Sequence, residues 1–473
     1  MRHILHFLLA LFAVAGALPA KAAPNLIAIV TDDQARWTLG CYGGKEIPTP
    51  NLDRLAAEGA RFDNAFVHTP VCSPSRGAYL TGRLGTELGF TDWLTAAQAK
   101  EWGVTPATPT WPAALAQHGY TTALIGKWHL GEKEDSLPWR NGLSRFTGNL
   151  GGGWQPNKVQ FINEKGERLA PPGFSVEICT DLAVKFLDEH RDRRFALLIH
   201  YREPHAPYVP MPERDLAASR AGQIAVPDYP GLKQPYTSNA RRDYYAAIAA
   251  IDRNVGRLLE HLKHTGLADN TIVTFTSDHG YNIGEHGIQH KGNGYWITVD
   301  KFQNPRPNMF DTSIRVPLLI RCPGVGKPGV VVEEWVSNAD MFATALGLLA
   351  VEKPAAMPAN SRDFSAAVRG EQLPAGKFPH ELFGQYDLVN SGGKRHMRMV
   401  RTDRWKLILH LNAPEQNELY DLAADPGERT NRFGQPGAED AVRDLTRRLR
   451  KQMAAIGDPR LDEVQEQTPS RPQ

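Results

Sequence analysis

Apolar and polar positions alternate in blocks along the N-terminal part of the chain. Short strand-like runs at 26–30 (wholly apolar), 121–125, 195–200 and 271–276 each lead into polar, chemically capable side chains. The followers are Thr31-Asp32-Asp33, Gly126-Lys127-Trp128-His129, Glu203-Pro204-His205 and Ser277-Asp278-His279-Gly280. Unbroken apolar runs suit strands buried on both faces of a parallel sheet. Helical patterns lie between them. Thr49-Pro50 opens one, with Leu52, Leu55 and Ala56 on a single face and Gly59 closing it. The alternation over 24–350 predicts an α/β fold: a large, mostly parallel sheet with helices on both faces. Open sheets of this kind bind ligands at the carboxyl ends of their strands, so four segments far apart in sequence are expected to converge there.

The stretch 351–375 contains Pro and Ala and reads as a linker or loop. Strand-like runs follow at 398–401 and 405–410, then Glu418-Leu419-Tyr420-Asp421-Leu422, a turn at Asp425-Pro426-Gly427 and an amphipathic helix over 438–456. This pattern predicts a small C-terminal α+β subdomain over 376–473 carrying an antiparallel sheet, beside a larger domain over 24–350. At the N-terminus, Arg2, the apolar run 4–18 and Ala20-Lys21-Ala22 form the three parts of a secretory signal over 1–22. No later run is long enough to span a membrane. The expected location is therefore secreted or periplasmic, with no membrane attachment after the signal is removed.

Charge excludes one class of partner. The net charge is +2, and removing Arg2 and Lys21 with the signal brings it to 0 (2 − 2 = 0), which gives no bulk attraction for nucleic acid. The basic run 443–451 lies beside Asp440 and Asp444 and reads as a solvated helix face. Cys41, Cys72, Cys179 and Cys322 have no CxxC pairing, so a zinc site is not indicated. An oxidising compartment would allow one bridge among Cys41, Cys179 and Cys322.

Cys72 has a different neighbourhood. Ser73 suits an N-cap and Pro74 a first helical turn, so a helix is expected to start just after Cys72, with its amides favouring an anion there. Arg76 in the first turns adds a receptor for a tetrahedral oxyanion. Alone, Cys72 reads equally well as a small buried thiol beside a capping motif. Asp32 and Asp33 repel each other unless a cation or donors neutralise them, and a hard divalent ion with oxygen ligands does so; a loop cap is the plainer reading. Lys127 and His129, two apart after a strand, point to one face if the extended backbone continues, with Trp128 turned into packing.

Cys72-Ser73-Pro74-Ser75-Arg76 followed by Thr81-Gly82-Arg83 resembles the signature of the type I, formylglycine-dependent sulfatases of the alkaline phosphatase-like superfamily. Gly126-Lys127-Trp128-His129-Leu130-Gly131, Pro204-His205-Ala206-Pro207 and Ile314-Arg315-Val316-Pro317-Leu318 follow in the family's order, and the likeness covers 24–435. It implies that Cys72 is oxidised to formylglycine by a formylglycine-generating enzyme. It further implies that Asp32, Asp33, Asp278, His279 and residue 72 hold Ca²⁺, or Mg²⁺ instead. Catalysis would use residue 72 as nucleophile, His205 to protonate the leaving alcohol and His129 to take a proton as sulfate departs. Lys127, Arg76 and Lys291 would clamp the sulfate. Lys291 follows Gly284-Glu285-His286-Gly287 at a suitable distance, while Lys301, within the long stretch 292–307, is its rival.

The expected reaction is hydrolysis of sulfate esters, with a sulfated polysaccharide or oligosaccharide as substrate. Phosphate or phosphonate monoester hydrolysis on the same scaffold, or silent binding of sulfated glycans, are the other readings. Specificity is expected in the loops 137–153 and 292–307, with Trp154 and Trp296 available to stack on a sugar.

Overall fold

A computed structural model describes residues 23–465; the expected signal segment 1–22 lies outside the described residues. A ten-stranded sheet forms the centre of the molecule. Five neighbouring strands run parallel in the order Thr271–Ser277, Asn25–Asp32, Phe195–Pro204, Thr121–Lys127, Arg145–Asn149. Leu318–Arg321 joins the first of these antiparallel, and the short strands Phe161–Asn163 and Arg168–Leu169 continue the other edge. The sheet is thus mixed and mostly parallel, as the alternating pattern predicts.

The apolar runs are buried on both faces. Leu26, Ala28 and Val30 enter one core, while Ile27 and Ile29 enter the other. On the second face lies the helix Gln234–His264, which buries Tyr244, Ile248, Ile251, Val255 and Leu258. Each such apolar side chain removed from water stabilises the fold by about 1.5–3 kcal/mol. The helix Pro50–Glu58 places Pro50 at its first turn and buries Leu52, Leu55 and Ala56, as its spacing predicts. Gly59 follows it as C-cap, at a point where a Cβ would lie 2.3 Å from the Ile320 carbonyl oxygen.

The C-terminal sheet is antiparallel, in the order Glu381–Leu388, Arg395–Thr402, Trp405–His410, Glu418–Asp421. Val442, Leu445, Leu449 and Met453 of the helix Glu439–Ala455 pack on Val400, Leu407 and Leu409 of that sheet. The opposite stripe of the helix is solvated, with Arg447 paired to Asp444 at 2.5 Å and Arg448 at 2.7 Å. Between the two sheets the chain is packed down: the Phe364 ring meets Phe62 with centroids 5.0 Å apart, and Arg362 pairs with Asp340 at 2.7 Å. Cys41 and Cys179 are both thiols, so the bridge that the sequence would allow is not formed.

Buried ion pairs fasten the C-terminal sheet. Arg306 meets Glu418 at 2.8 Å and Arg398 meets Asp387 at 2.8 Å. Burial opposes both carboxylate charges, but Arg306 and His410 hold Glu418, and His396 and Arg398 hold Asp387, well below the usual carboxylate range. A carboxylate whose pKa is depressed by folding stabilises the fold above its unfolded value and loses that contribution on acidification. Stability is therefore expected to fall as the pH drops below the ordinary values of 4.5 for Glu418 and 3.8 for Asp387. Thermal melting followed across that window checks it; a melting temperature unchanged down to about pH 2 would contradict the account.

Candidate active site

The carboxyl ends of the four apolar strands meet the N-terminus of the helix Cys72–Thr81. Cys72 is the first residue of that helix and is 3% exposed. The helix therefore begins one position earlier than the capping pattern suggests. Ser73 does not cap it; its hydroxyl accepts the Leu94 N–H at 3.0 Å instead. The Cys72 Sγ lies 3.1 Å from Lys291 Nζ, 3.5 Å from Asp32 Oδ1 and 3.6 Å from His279 Nε2. Burial and Asp32 raise the thiol pKa, yet Lys127, Lys291 and His279 outweigh them and bring it down to about 7.

Around Cys72 sit three buried carboxylates and three buried cations. Asp32 Oδ2 accepts from Lys127 Nζ at 2.5 Å, and Asp33 Oδ1 accepts from Lys291 Nζ at 2.6 Å. Asp278 Oδ2 accepts from Arg76 Nε at 3.0 Å, and Asp278 Oδ1 accepts the Asp33 N–H at 3.2 Å. Burial opposes the Asp32 charge, but Lys127, His205, Arg76 and Lys291 hold its pKa well below the ordinary range. Asp278 goes the other way, pushed up to about 7 by burial and by Asp32.

These groups have the chemistry of a cation site. The ligating atoms of Asp32, Cys72, Asp278 and His279 lie within 4.8 Å of one another, as do those of Asp32, Asp33, Cys72 and His205. His279 Nδ1 lies 3.0 Å from the Gly280 carbonyl oxygen, which holds a proton there and leaves Nε2 facing Asp33 at 3.3 Å and Asp278 at 3.4 Å. Asp33 Oδ2 is buried without a hydrogen-bond partner. A divalent cation would satisfy that oxygen and offset the burial that raises Asp278, so the donor set fits one.

A family model described as Sulfatase matches residues 24–351. The chain belongs to the sulfatase family. A second model, N-sulphoglucosamine sulphohydrolase, C-terminal, matches 302–455. The chain is 29% identical to an N-acetylglucosamine-6-O-sulfatase of Bacteroides thetaiotaomicron, over 87% of this chain and 83% of that protein. It is 31% identical to the human N-acetylgalactosamine-6-sulfatase, over 72% of this chain and 64% of that one. Its fold superposes with a TM-score of 0.79, at 26% identity, on a structure in complex with its substrate D-glucosamine-2-N,6-O-disulfate, covering 94% of this chain and 100% of that one. Among the described residues of this sulfatase, no helix is long and apolar enough to cross a membrane.

The two histidines of the sulfatase are held differently. The strand Thr121–Lys127 stops at Lys127, and His129 takes a left-handed φ of 56°, so the extended geometry assumed for the pair does not continue. Trp128 is fully buried and donates Nε1–H to the Ser136 carbonyl oxygen at 2.9 Å, as its packing role predicts. His129 Nε2 lies 2.9 Å from the Leu94 carbonyl oxygen, which fixes the proton on Nε2; Nδ1 is a buried lone pair with no partner. Burial and then Lys127 bring its pKa down to about 3, so the ring is a neutral acceptor. His205 Nε2 faces Asp33 Oδ2 at 3.9 Å, and Nδ1 lies 2.6 Å from the Ala206 carbonyl oxygen. Burial lowers its pKa to about 3 against the pull of Asp33 and Asp32. A bound ester anion would raise its affinity for a proton.

Lys291 lies among the carboxylates, whereas Lys301 sits over the Trp296 ring, 4.8 Å from its centroid. Trp154 packs edge-on against Phe161 with centroids 5.6 Å apart.

Three residues at the site carry no signal that sequence reasoning assigned a role. His200 is buried between Arg76 Nη1 at 3.2 Å and the Lys127 carbonyl oxygen at 3.0 Å. Tyr244 donates its hydroxyl to the Asp33 carbonyl oxygen at 2.6 Å and accepts the Ala35 N–H at 2.8 Å, bracing the turn in which Asp33 takes a φ of 70°. Ser75 donates to the Asp278 carbonyl oxygen and accepts from Asn338 Nδ2 at 2.9 Å. Only Ser75 falls inside a recognisable motif.

Gly126 must be glycine in this arrangement. Its φ is 106°, and a Cβ would lie 2.0 Å from the His200 carbonyl oxygen. Gly126→Ala is expected to cost about 2–4 kcal/mol by displacing Lys127 from Asp32. Chemical denaturation checks this, and a loss under about 1 kcal/mol would contradict it.

Proposed function

We propose that this sulfatase removes sulfate from a sulfated saccharide, using residue 72 as nucleophile after its conversion to formylglycine. The observation that supports this most is the enclosure of Cys72, at a helix N-terminus, by Asp32, Asp33, Asp278, Lys127 and Lys291 at hydrogen-bonding distances from one another or from the thiol. Asp32, Asp33, Asp278 and His279 would hold a divalent cation, Ca²⁺ by the hardness of the oxygen donors, with Mg²⁺ as the alternative. Formylglycine, as its hydrate, supplies a hydroxyl able to attack sulfur and a second one through which sulfate is later released, and the cation supplies Lewis acidity for the first.

The other groups do the rest. Lys127 and Lys291 hold sulfate oxygens and the negative charge that spreads over them. Arg76, 1% exposed and donating to Asp278, acts beneath the site by keeping that carboxylate in place. His205, protonated once the ester anion is bound, gives its Nε2 proton to the departing alcohol. His129 receives a proton at its open Nδ1 as sulfate leaves. His129 and His205 both lie under one glycine loop, since a Cβ at Gly152 would meet the His129 ring at 2.6 Å and one at Gly153 the His205 ring at 3.8 Å.

The saccharide reading draws on the relatives, two of which are named for 6-sulfated hexosamines, and on a similar solved structure bound to a glucosamine disulfate. Export by the N-terminal signal to a secreted or periplasmic location fits that substrate. A panel of mono- and disaccharides sulfated at different positions, run beside phosphate and phosphonate monoesters, tests it. Sulfate release from 6-O-sulfated hexosamines is the expected result; faster turnover of the phosphorus esters would overturn the reading.

A further inference from the structure

The segment that carries His205 is fastened at both ends by one residue. Arg202 is fully buried in the strand Phe195–Pro204. Its carbonyl oxygen accepts the His205 N–H at 3.0 Å, and its Nη2 donates to the Pro207 carbonyl oxygen at 2.8 Å. Between these two bonds the His205 ring is held through Nδ1 by the next residue, at 2.6 Å from the Ala206 carbonyl oxygen, while its Nε2 faces Asp33 at 3.9 Å. Pro204 and Pro207 have no N–H of their own to offer, so the backbone has few other ways to tie this segment down. Beside it, the fully buried Glu203 accepts the Ser175 hydroxyl and anchors the base of the segment to the helix Ser175–Glu189.

Arg202 is a costly choice for packing alone. Its Nε and Nη1 are buried without hydrogen-bond partners among the described residues, and a guanidinium out of water is expensive unless its donors are used. An apolar side chain of similar length would fill the same space at less cost, as replacements of buried charges often show. What an apolar residue cannot do is bond to the Pro207 carbonyl. We propose that Arg202 is a positioning residue for His205, closing the His205–Pro207 segment on itself so that the imidazole stays where it delivers its proton to the leaving oxygen.

This rests on the proposed role of His205 as proton donor. In that step the attacking hydroxyl oxygen of hydrated residue 72 bonds to sulfur, its proton passing to the Asp33 or Asp278 carboxylate, and the sulfur–oxygen bond to the leaving group breaks. The electron pair stays on the leaving oxygen, and the proton of His205 Nε2 neutralises it, leaving neutral imidazole.

Two aryl sulfates separate this role from a merely structural one. 4-Nitrophenolate departs without a proton, whereas phenolate gains from one. Mature Arg202→Gln enzyme is expected to lose about 10–100-fold in kcat on phenyl sulfate, but no more than a few-fold on 4-nitrophenyl sulfate. Arg202→Lys, which keeps a charged donor, should recover part of the loss and serves for the same comparison if the glutamine variant does not fold. An equal fall on both esters, or none, would overturn the proposal. His205→Ala provides the control. If it fails to widen the gap between the two esters, the proton-donor reading itself is wrong; if it widens the gap and Arg202→Gln does not, only the positioning role is lost. A readout that needs no turnover is the His205 Nδ1 proton in NMR. Held against Ala206, it should exchange slowly in the wild type and rapidly in Arg202→Gln, and its persistence in the variant would also overturn the proposal.

Discussion

Replacing Cys72 with alanine is expected to lower sulfate-ester turnover by at least about 10⁴-fold while the protein remains folded. The side chain occupies the one point shared by Lys291, Asp32 and His279. Removing it deletes the proposed nucleophile but breaks none of the ion pairs that Lys127, Lys291 and Arg76 make with the carboxylates. Cys72→Ser sharpens the expectation. A serine hydroxyl can take sulfur once but has no second hydroxyl through which to expel sulfate, so alcohol should be released in a single stoichiometric burst with no free sulfate following. Steady sulfate release by the serine variant would contradict the account.

The second large effect is expected at Lys127, which combines stability and chemistry. The ammonium is fully buried, 2.5 Å from Asp32 Oδ2. Truncating it to alanine leaves the Asp32 carboxylate buried without its nearest counter-ion, a loss of about 3–5 kcal/mol when one partner of a buried pair is removed. It also withdraws a cation from the developing sulfate charge, which should cost about 10²–10³-fold in kcat. Melting temperature and kcat measured on the same preparation check both parts. A variant that melts with the wild type and turns over at its rate would contradict the account, and added Ca²⁺ should restore part of the stability but little of the rate.

Much of this was legible in the sequence because the physics behind it is local. Runs such as 26–30 and 271–276 read as strands, and strand ends in a parallel sheet share one edge, so Asp32, Lys127, His205 and Asp278 were expected to approach each other. The C-terminal helix ran within a residue of its predicted ends because its apolar stripe is regular. The long helix Gln234–His264 shows its aliphatic stripe, Ile248, Ile251, Val255, Leu258 and Leu262, only in its second half, while its first half buries Thr237, Arg241, Tyr244 and Tyr245.

What local pattern could not show was geometry set by tertiary contact. The left-handed turn at His129 follows from Leu94 capturing its ring, and Leu94 in turn is held by Ser73, a residue that capping statistics assign to another task. Spacing favours Lys291 over Lys301 without excluding the latter; Asn308, donating to the Lys291 carbonyl oxygen at 2.8 Å, holds Lys291 at the site. His200 is a lone histidine at the end of an apolar run, and nothing in its neighbours announces that Arg76 and Lys127 rest on it.

The central claim is that sulfate-ester hydrolysis runs through a modified residue 72. The most direct test measures, in protein preparations matured to different extents, the fraction of the tryptic peptide 62–76 that carries formylglycine, together with kcat on a sulfate ester. The account predicts that kcat is proportional to that fraction and falls to zero with it. Undiminished turnover by protein whose residue 72 is entirely cysteine would contradict it.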